Sequence, residues 1–151
     1  MRTLGLDVGD KRIGVALSDP LGLLATPLLV FERKDNLADI SFIQDLVAKK
    51  QVGRIIVGLP QFMDGSIGPQ AEKVKTFTLD LAQKSLVPVE FRDERLTTVA
   101  AKQLLQEAGL KKRYKNKKGE FDAAAAAVIL QSYLNESRPL QFPGEDDNES
   151  Q

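Results

Sequence analysis

Asp7 in LGLDVGDKR, Glu94 in FRDERLTT and Asp122 at the head of DAAAAA are the acids whose surroundings suit chemistry. The chain has no histidine and no cysteine, which excludes a Cys/His zinc cluster, a thiolate nucleophile, a Ser/His/Asp triad and an imidazole base. Reactions here must run on oxygen and amine groups. If a metal takes part, carboxylate ligands select Mg²⁺ or Mn²⁺ over zinc or copper. Taken singly, each acid also has an ordinary role. Asp7 before Gly9 can shape a turn, Glu94 can be a solvated strand end, and Asp122 can be a helix N-cap. Cap and ligand are compatible roles, because the helix dipole stabilises a carboxylate that still faces a metal.

The elements that must position these acids follow from hydrophobic periodicity. Thr3 to Val8 and Ile13 to Ser18 read as two strands joined by a tight Gly9-Asp10-Lys11-Arg12 connection. After a loop from Pro20 to Pro27, a third strand is expected over Leu28 to Arg33. Asp39 to Lys50 reads as a helix with Ile40, Ile43, Leu46 and Val47 on one face. The continuous apolar run Arg54 to Leu59 suits a parallel strand covered on both faces. Pro60 to Gly68 is a loop, and Pro69 opens a helix through about Lys84. A fifth strand, Val87 to Arg92, precedes a helix capped by Thr97 or Thr98 and ended by Gly109. Asp122 then caps a last helix running to about Glu136. The order is βββαβαβαα: a five-stranded mixed sheet, three antiparallel strands and then parallel ones, flanked by helices in an α/β fold.

This order suggests how the acids meet. Alternation puts Leu4, Leu6 and Val8 on one face of the first strand and Thr3, Gly5 and Asp7 on the other. The second strand sets Ile13, Val15 and Leu17 against Gly14, Ala16 and Ser18. One face of the hairpin is bulky and the other nearly bare. A bare strand face opposite an alanine helix face permits close backbone approach, so Asp122 is expected near Asp7. Asp7 and Glu94 both fall at carboxyl ends of strands, where open α/β sheets collect ligands. Three crowded carboxylates repel one another unless a cation neutralises them. Mg²⁺ or Mn²⁺ would do so, orienting a water and stabilising charge on a phosphodiester.

A near-neutral total does not argue against a polyanionic partner, because the charge is unevenly spread. Basic and acidic residues balance at 21 each, but Pro143 to Gln151 holds four acids and no base, so the rest carries an excess of four positive charges. Six of the positive charges lie in the eight residues KKRYKNKK, namely Lys111, Lys112, Arg113, Lys115, Lys117 and Lys118. Their density just before Asp122 suits phosphate contacts, although a solvated loop has the same composition. Tyr114 can stack on an unpaired base, Lys11 and Arg12 can hold a phosphate near Asp7, and Gly68-Pro69-Gln70 leaves amides free at a helix start. At 151 residues, 42% of them hydrophobic, one domain over residues 1–138 and an acidic, disordered tail over 139–151 are expected. No stretch approaches the roughly 20 apolar residues of a membrane span, so a cytoplasmic location is expected. A monomer and a homodimer both fit.

LGLDVGDKRIGVALSDPLG (Leu4 to Gly22), VGLPQFMDGSIGPQA (Val57 to Ala71), DERLTT (Asp93 to Thr98) and KGEFDAAAAAVILQSYL (Lys118 to Leu134) resemble, in the same order, the YqgF family, also called RuvX. The resemblance covers residues 1 to about 138. It implies an RNase H-like fold and a divalent-metal nuclease, described in the family either as a Holliday-junction resolvase or as the nuclease that matures the 5′ end of pre-16S ribosomal RNA. It also implies an acidic site of Asp7, Glu94 and Asp122. Ala125 departs from the pattern, since some RNase H-like junction resolvases carry a second Asp there. Cleavage of structured RNA in ribosome biogenesis is the leading expectation. The alternatives are resolution of branched DNA and a non-catalytic ribosome-assembly factor that binds RNA. The opening D-x-G hairpin also resembles a phosphate loop of actin-like ATP-binding domains.

Overall fold

Bulky and small residues alternate in the first two strands, and the sheet is accordingly divided into two unlike faces. The structure, a computed structural model, describes residues 1–60, 68–93 and 120–137, and within the last stretch the side chains of 123–136 only. Its elements are β1 (Arg2–Val8), β2 (Arg12–Ser18), β3 (Ala25–Glu32), α1 (Asn36–Lys49), β4 (Val52–Leu59), α2 (Pro69–Lys84), β5 (Val89–Asp93) and α3 (Glu120–Ser137). They form a five-stranded sheet in the order β3-β2-β1-β4-β5. The first three strands are antiparallel, and β4 and β5 run parallel to β1. This is the five-stranded mixed sheet, antiparallel strands followed by parallel ones, that the order of elements in the sequence leads one to expect. The expected helix from Thr97 or Thr98 to Gly109 lies outside the described residues, as do residues 61–67, the basic run and the acidic tail.

One face carries the larger core. Leu4, Leu6 and Val8 of β1, Ile13 and Val15 of β2, and Ile55, Val57 and Leu59 of β4 pack against Ile40, Ile43 and Leu46 of α1 and against Val74, Phe77 and Leu81 of α2. The other face carries a smaller core, rich in alanine. Ala16, Ala25 and Ile56 meet Ala126, Ala127, Ile129, Leu130 and Leu134 of α3. Gly5, paired with Ala16 on one side and Ile56 on the other, sits directly beneath α3. A Cβ on Gly5 would lie 2.8 Å from the Leu130 Cβ and 3.2 Å from the Ala126 carbonyl oxygen. The expected approach of alanine helix to bare strand is therefore realised. Because β4 is covered by helices on both faces, Ile55 to Leu59 are all buried.

Several boundaries differ from expectation, four of them for a local reason that can be named. β3 begins at Ala25, three residues before Leu28, because Pro27 is accommodated on an edge strand beside a register shift between Val15 and Ala16. α1 begins at Asn36 rather than Asp39, because Asp35 caps it by accepting a 2.8 Å hydrogen bond from the Ala38 amide. β5 begins at Val89 rather than Val87. Pro88 has no amide to give the ladder, although its carbonyl accepts from Ile55 at 2.9 Å. α3 begins at Glu120, so Asp122 lies in its first turn and is not its cap. The dipole favours an acid at either position.

The β2–β3 turn is organised by Asp19. Its carboxylate accepts hydrogen bonds from the amides of Leu21 (3.3 Å), Leu23 (2.7 Å) and Leu24 (2.8 Å). These amides, Leu24 first, hold the carboxyl below the usual aspartate range. A carboxyl lowered on folding contributes stability above its unfolded value and loses it as pH falls through the folded one. The stability gap between the wild type and Asp19→Ala, measured by urea unfolding, is expected to be full at neutral pH and to close below about pH 4. At Gly5, the neighbours a new methyl would meet are a Cβ and a backbone carbonyl, neither of which can swing aside. Gly5→Ala is expected to destabilise the protein by about 1–3 kcal/mol in urea unfolding, and an unchanged midpoint would contradict the close contact.

Candidate functional site

Asp7 is the next-to-last residue of β1 and is half-buried. It lies on the α3 side of the sheet, two residues beyond Gly5. Its register partner on β2 is Gly14, and Gly58 follows Val57, the partner of Leu6 on β4. Neither neighbour in its row carries a side chain to crowd its carboxylate.

The direction of α3 follows from three contacts. Gln131 accepts from the Ala25 amide at 2.8 Å and donates to the Leu23 carbonyl at 3.0 Å. Ala25 pairs with Ser18, whose Oγ accepts from the Thr3 amide at 2.9 Å. Gln131 is thus held toward the amino end of β1, on the β3 side of the sheet, while Ala126 and Leu130 lie over Gly5. The helix runs against β1 and directs its first turn toward the strand's carboxyl end. From Ala126 back to Asp122 is one turn, about 6 Å, and from Gly5 to Asp7 is two strand residues, about 7 Å. The backbone of Asp122 therefore advances with Asp7 in the same direction.

β5 reaches the same end of the sheet, since Val57 pairs with Leu6 on one side and with Phe91 on the other. The strand ends at Asp93, and Glu94, the next residue, lies outside the described residues. Just before that end, Arg92 is 8% exposed and crosses to α3. Its guanidinium donates to Ser132 Oγ at 2.7 Å and to Glu136 Oε1 at 2.5 Å. Arg92 thereby holds the Glu136 carboxyl below the usual glutamate range.

Of the basic residues, Lys11 is exposed in the β1–β2 connection and Arg12 opens β2 opposite Glu32. Lys111, Lys112, Arg113, Lys115, Lys117 and Lys118 lie outside the described residues. No group of three or more His, Cys, Asp or Glu gathers among the described residues, where Asp7 is the one candidate ligand whose side chain is included. Among the described residues no helix is long and apolar enough to cross a membrane.

Periodicity gave no role to a group behind the β1–β2 connection. Arg33 Nε pairs with Asp39 at 3.0 Å, and the Asp39 side chain is 2% exposed. The Arg33 fork also donates to the Gly9 carbonyl at 3.2 Å and to Asn36 Oδ1 at 2.9 Å. Its guanidinium carbon stands 4.9 Å from the centre of the Phe77 ring. An arginine six residues before an acid across a helix start is the one sequence signal for this pairing.

Comparison with known proteins gives a consistent answer. The family model described as "RuvX: Holliday junction resolvase" matches residues 1–136. A protein of Halothermothrix orenii is 50% identical over 141 residues, covering 93% of this chain and 99% of its own length. One of Moorella thermoacetica is 49% identical over 135 residues, covering 89% and 95%. Both bear the name "Putative pre-16S rRNA nuclease". Among solved structures, RuvC of Thermus thermophilus in complex with a Holliday junction substrate superposes with a TM-score of 0.58 at 17% identity, covering 91% of this chain and 96% of that one. The fowlpox virus Holliday junction resolvase follows at a TM-score of 0.55 and 17% identity, covering 90% and 99%. At such identity these two speak for the fold alone. The identity and coverage of the sequence relatives, together with the family match over residues 1–136, make this chain a member of the RuvX family, a family of nucleases.

Proposed function

We propose that this chain is a divalent-metal-dependent endonuclease that hydrolyses phosphodiesters of structured RNA, and that it matures the 5′ end of pre-16S rRNA in the cytoplasm. The observation that carries this reading is the half-buried Asp7, at the carboxyl end of β1 and on the side from which the first turn of α3 approaches. Its glycine-flanked row and an all-oxygen donor set suit a hard cation. Asp7, Glu94 and Asp122 would hold Mg²⁺ or Mn²⁺ between them. When bound, the cation supplies positive charge to a phosphoryl oxygen and acidity to an attacking water. Lys11 and Arg12, at the end of the hairpin that presents Asp7, hold the phosphate next to it. Lys111, Lys112, Arg113, Lys115, Lys117 and Lys118 bind the flanking backbone. Residues 1–138 constitute the nuclease domain, and the acidic residues 139–151 stand apart from the reaction.

The RNA reading is supported by relatives about half identical along nearly their whole length and named for pre-16S rRNA. A second reading, resolution of four-way DNA junctions by the same acids, is favoured by the family's description as a Holliday junction resolvase. Incubation with Mn²⁺ and either a precursor rRNA fragment or a four-way DNA junction separates the two. Cleavage of the RNA is expected, with Asp7→Asn reducing the rate by at least about a hundredfold, in the range of losing one transition-state contact. Preferential cleavage of the junction would select the second reading, and activity surviving in Asp7→Asn would remove Asp7 from the site.

Binding to the precursor RNA is expected to weaken steeply with salt, with a slope of about 0.7 to 0.9 in log affinity per log salt for each phosphate neutralised. Replacing Lys111, Lys112 and Arg113 by Ala should flatten that slope by about two to three. A salt-independent affinity would remove the basic run from the interface. A protein that only binds during ribosome assembly would need this run but tolerate loss of the acids in cells.

A further inference from the structure

The connection between β1 and β2 is three residues long, Gly9, Asp10 and Lys11, and its backbone is held at three points. The Gly9 amide donates to the Arg12 carbonyl at 2.8 Å. The Gly9 carbonyl accepts from the Arg33 guanidinium at 3.2 Å, and the Lys11 carbonyl accepts from the Arg33 amide at 2.9 Å. Arg33 thus supplies two of the three restraints on the segment that follows Asp7. A side chain at Gly9 would itself interfere, because its Cβ would stand 2.9 Å from the Arg12 carbonyl oxygen.

Arg33 is in turn held on every side. Asp39 takes its Nε through Oδ2 while Oδ1 of the same carboxylate accepts from the Lys34 amide at 3.0 Å. Asn36 takes one arm of the fork, and the Phe77 ring of α2 lies against the guanidinium. The connection is therefore braced against the first turn of α1 and the middle of α2, on the side of the sheet away from α3. A buried arginine–carboxylate pair gains little net stability over apolar residues of similar size, since desolvation offsets the attraction. The adjoining core of Ile40, Ile43, Val74 and Phe77 already joins α1 and α2 to the sheet. What the pair adds is a fixed geometry at the end of β1, two residues past Asp7.

We propose that Arg33 is a positioning residue for the nuclease reaction: by holding the Gly9 and Lys11 carbonyls it fixes the strand end from which Asp7 reaches the metal. Asp39 and Asn36 keep the guanidinium in place for that purpose. The inference rests on the reading of Asp7 as a metal ligand. Arg33 touches neither metal nor substrate, so its effect should resemble loss of an outer partner behind a metal ligand, which weakens metal affinity or activity by about 10- to 100-fold.

The test compares the wild type, Arg33→Lys, Asn36→Ala and Asp7→Asn as full-length proteins. Mn²⁺ affinity is measured by calorimetry without substrate, kcat and KM on the precursor rRNA fragment, and folding by circular dichroism and thermal melting. Lysine can still pair with Asp39 but lacks the fork that also reaches Gly9. Arg33→Lys is expected to stay folded at the assay temperature, to bind Mn²⁺ about 10- to 100-fold more weakly, and to lose kcat at limiting Mn²⁺ but regain it in excess Mn²⁺. Asn36→Ala, at an exposed position, should shift both quantities in the same direction by less. Folded Arg33→Lys with wild-type Mn²⁺ affinity and kcat would overturn the proposal. So would a loss of activity that follows only the unfolded fraction while Asn36→Ala behaves as wild type. If Asp7→Asn itself leaves Mn²⁺ binding unchanged, the metal site is elsewhere and both readings fall. If Asp7→Asn abolishes binding and the other two variants do not weaken it, the role of Arg33 alone is refuted.

Discussion

The arrangement depends on how closely α3 approaches β1. At Gly5 the helix comes so near that a single methyl would meet the Leu130 Cβ at 2.8 Å. A strand with no side chain at the point of contact, under a helix whose first turns carry little beyond methyls, can make this contact. The run Ala123 to Ala127 serves the fit, contributing Ala126 and Ala127 to the small core. A close, unambiguous contact also fixes where the helix lies along the strand. Gln131 anchors its second half beside Ala25 and Leu23, so its first turn is directed to the end where Asp7 stands.

The two faces of the sheet divide the work. Large aliphatic side chains, α1 and α2 supply most of the apolar burial on one side. The side that meets α3 gives up bulk for proximity and adds polar ties, from Ser132 and Glu136 to Arg92 on the β5 edge and from Gln131 to the β2–β3 turn on the β3 edge. Asp7 stands on this thin side, near the sheet's carboxyl end. The connection that follows it is held from the thick side by Arg33. Under the proposed function Asp7 shares a cation with other carboxylates, and such fixing would oppose the repulsion that drives like-charged ligands apart until the ion is present.

Much of this was legible in the sequence, for reasons that can be named. Strict alternation in Leu4 to Val8 and Ile13 to Leu17 revealed both the hairpin and its unequal faces. The unbroken run Ile55 to Leu59 marked a strand covered on both sides, and Pro69 marked the start of α2. The start of β3 was hidden because Pro27 reads as a breaker unless the strand is known to lie at an edge. Caps are harder to place: Asp35, more than a turn before Ile40, the first apolar position of the helix face, starts α1, whereas Asp122, with the composition of a cap, lies inside α3. The Arg33–Asp39 and Arg92–Glu136 pairs join residues whose partnership depends on tertiary packing, and no local periodicity encodes that.

In the proposed site three carboxylates, distant in the chain, share one divalent ion at the carboxyl end of β1. Anomalous diffraction at the manganese edge from crystals soaked in Mn²⁺ tests it most directly. A peak is expected within coordination distance of oxygens of Asp7, Glu94 and Asp122, about 2.0–2.6 Å for such hard cations. Asp7, Glu94 and Asp122 standing on separate surfaces, with any manganese peak bound elsewhere, would contradict it.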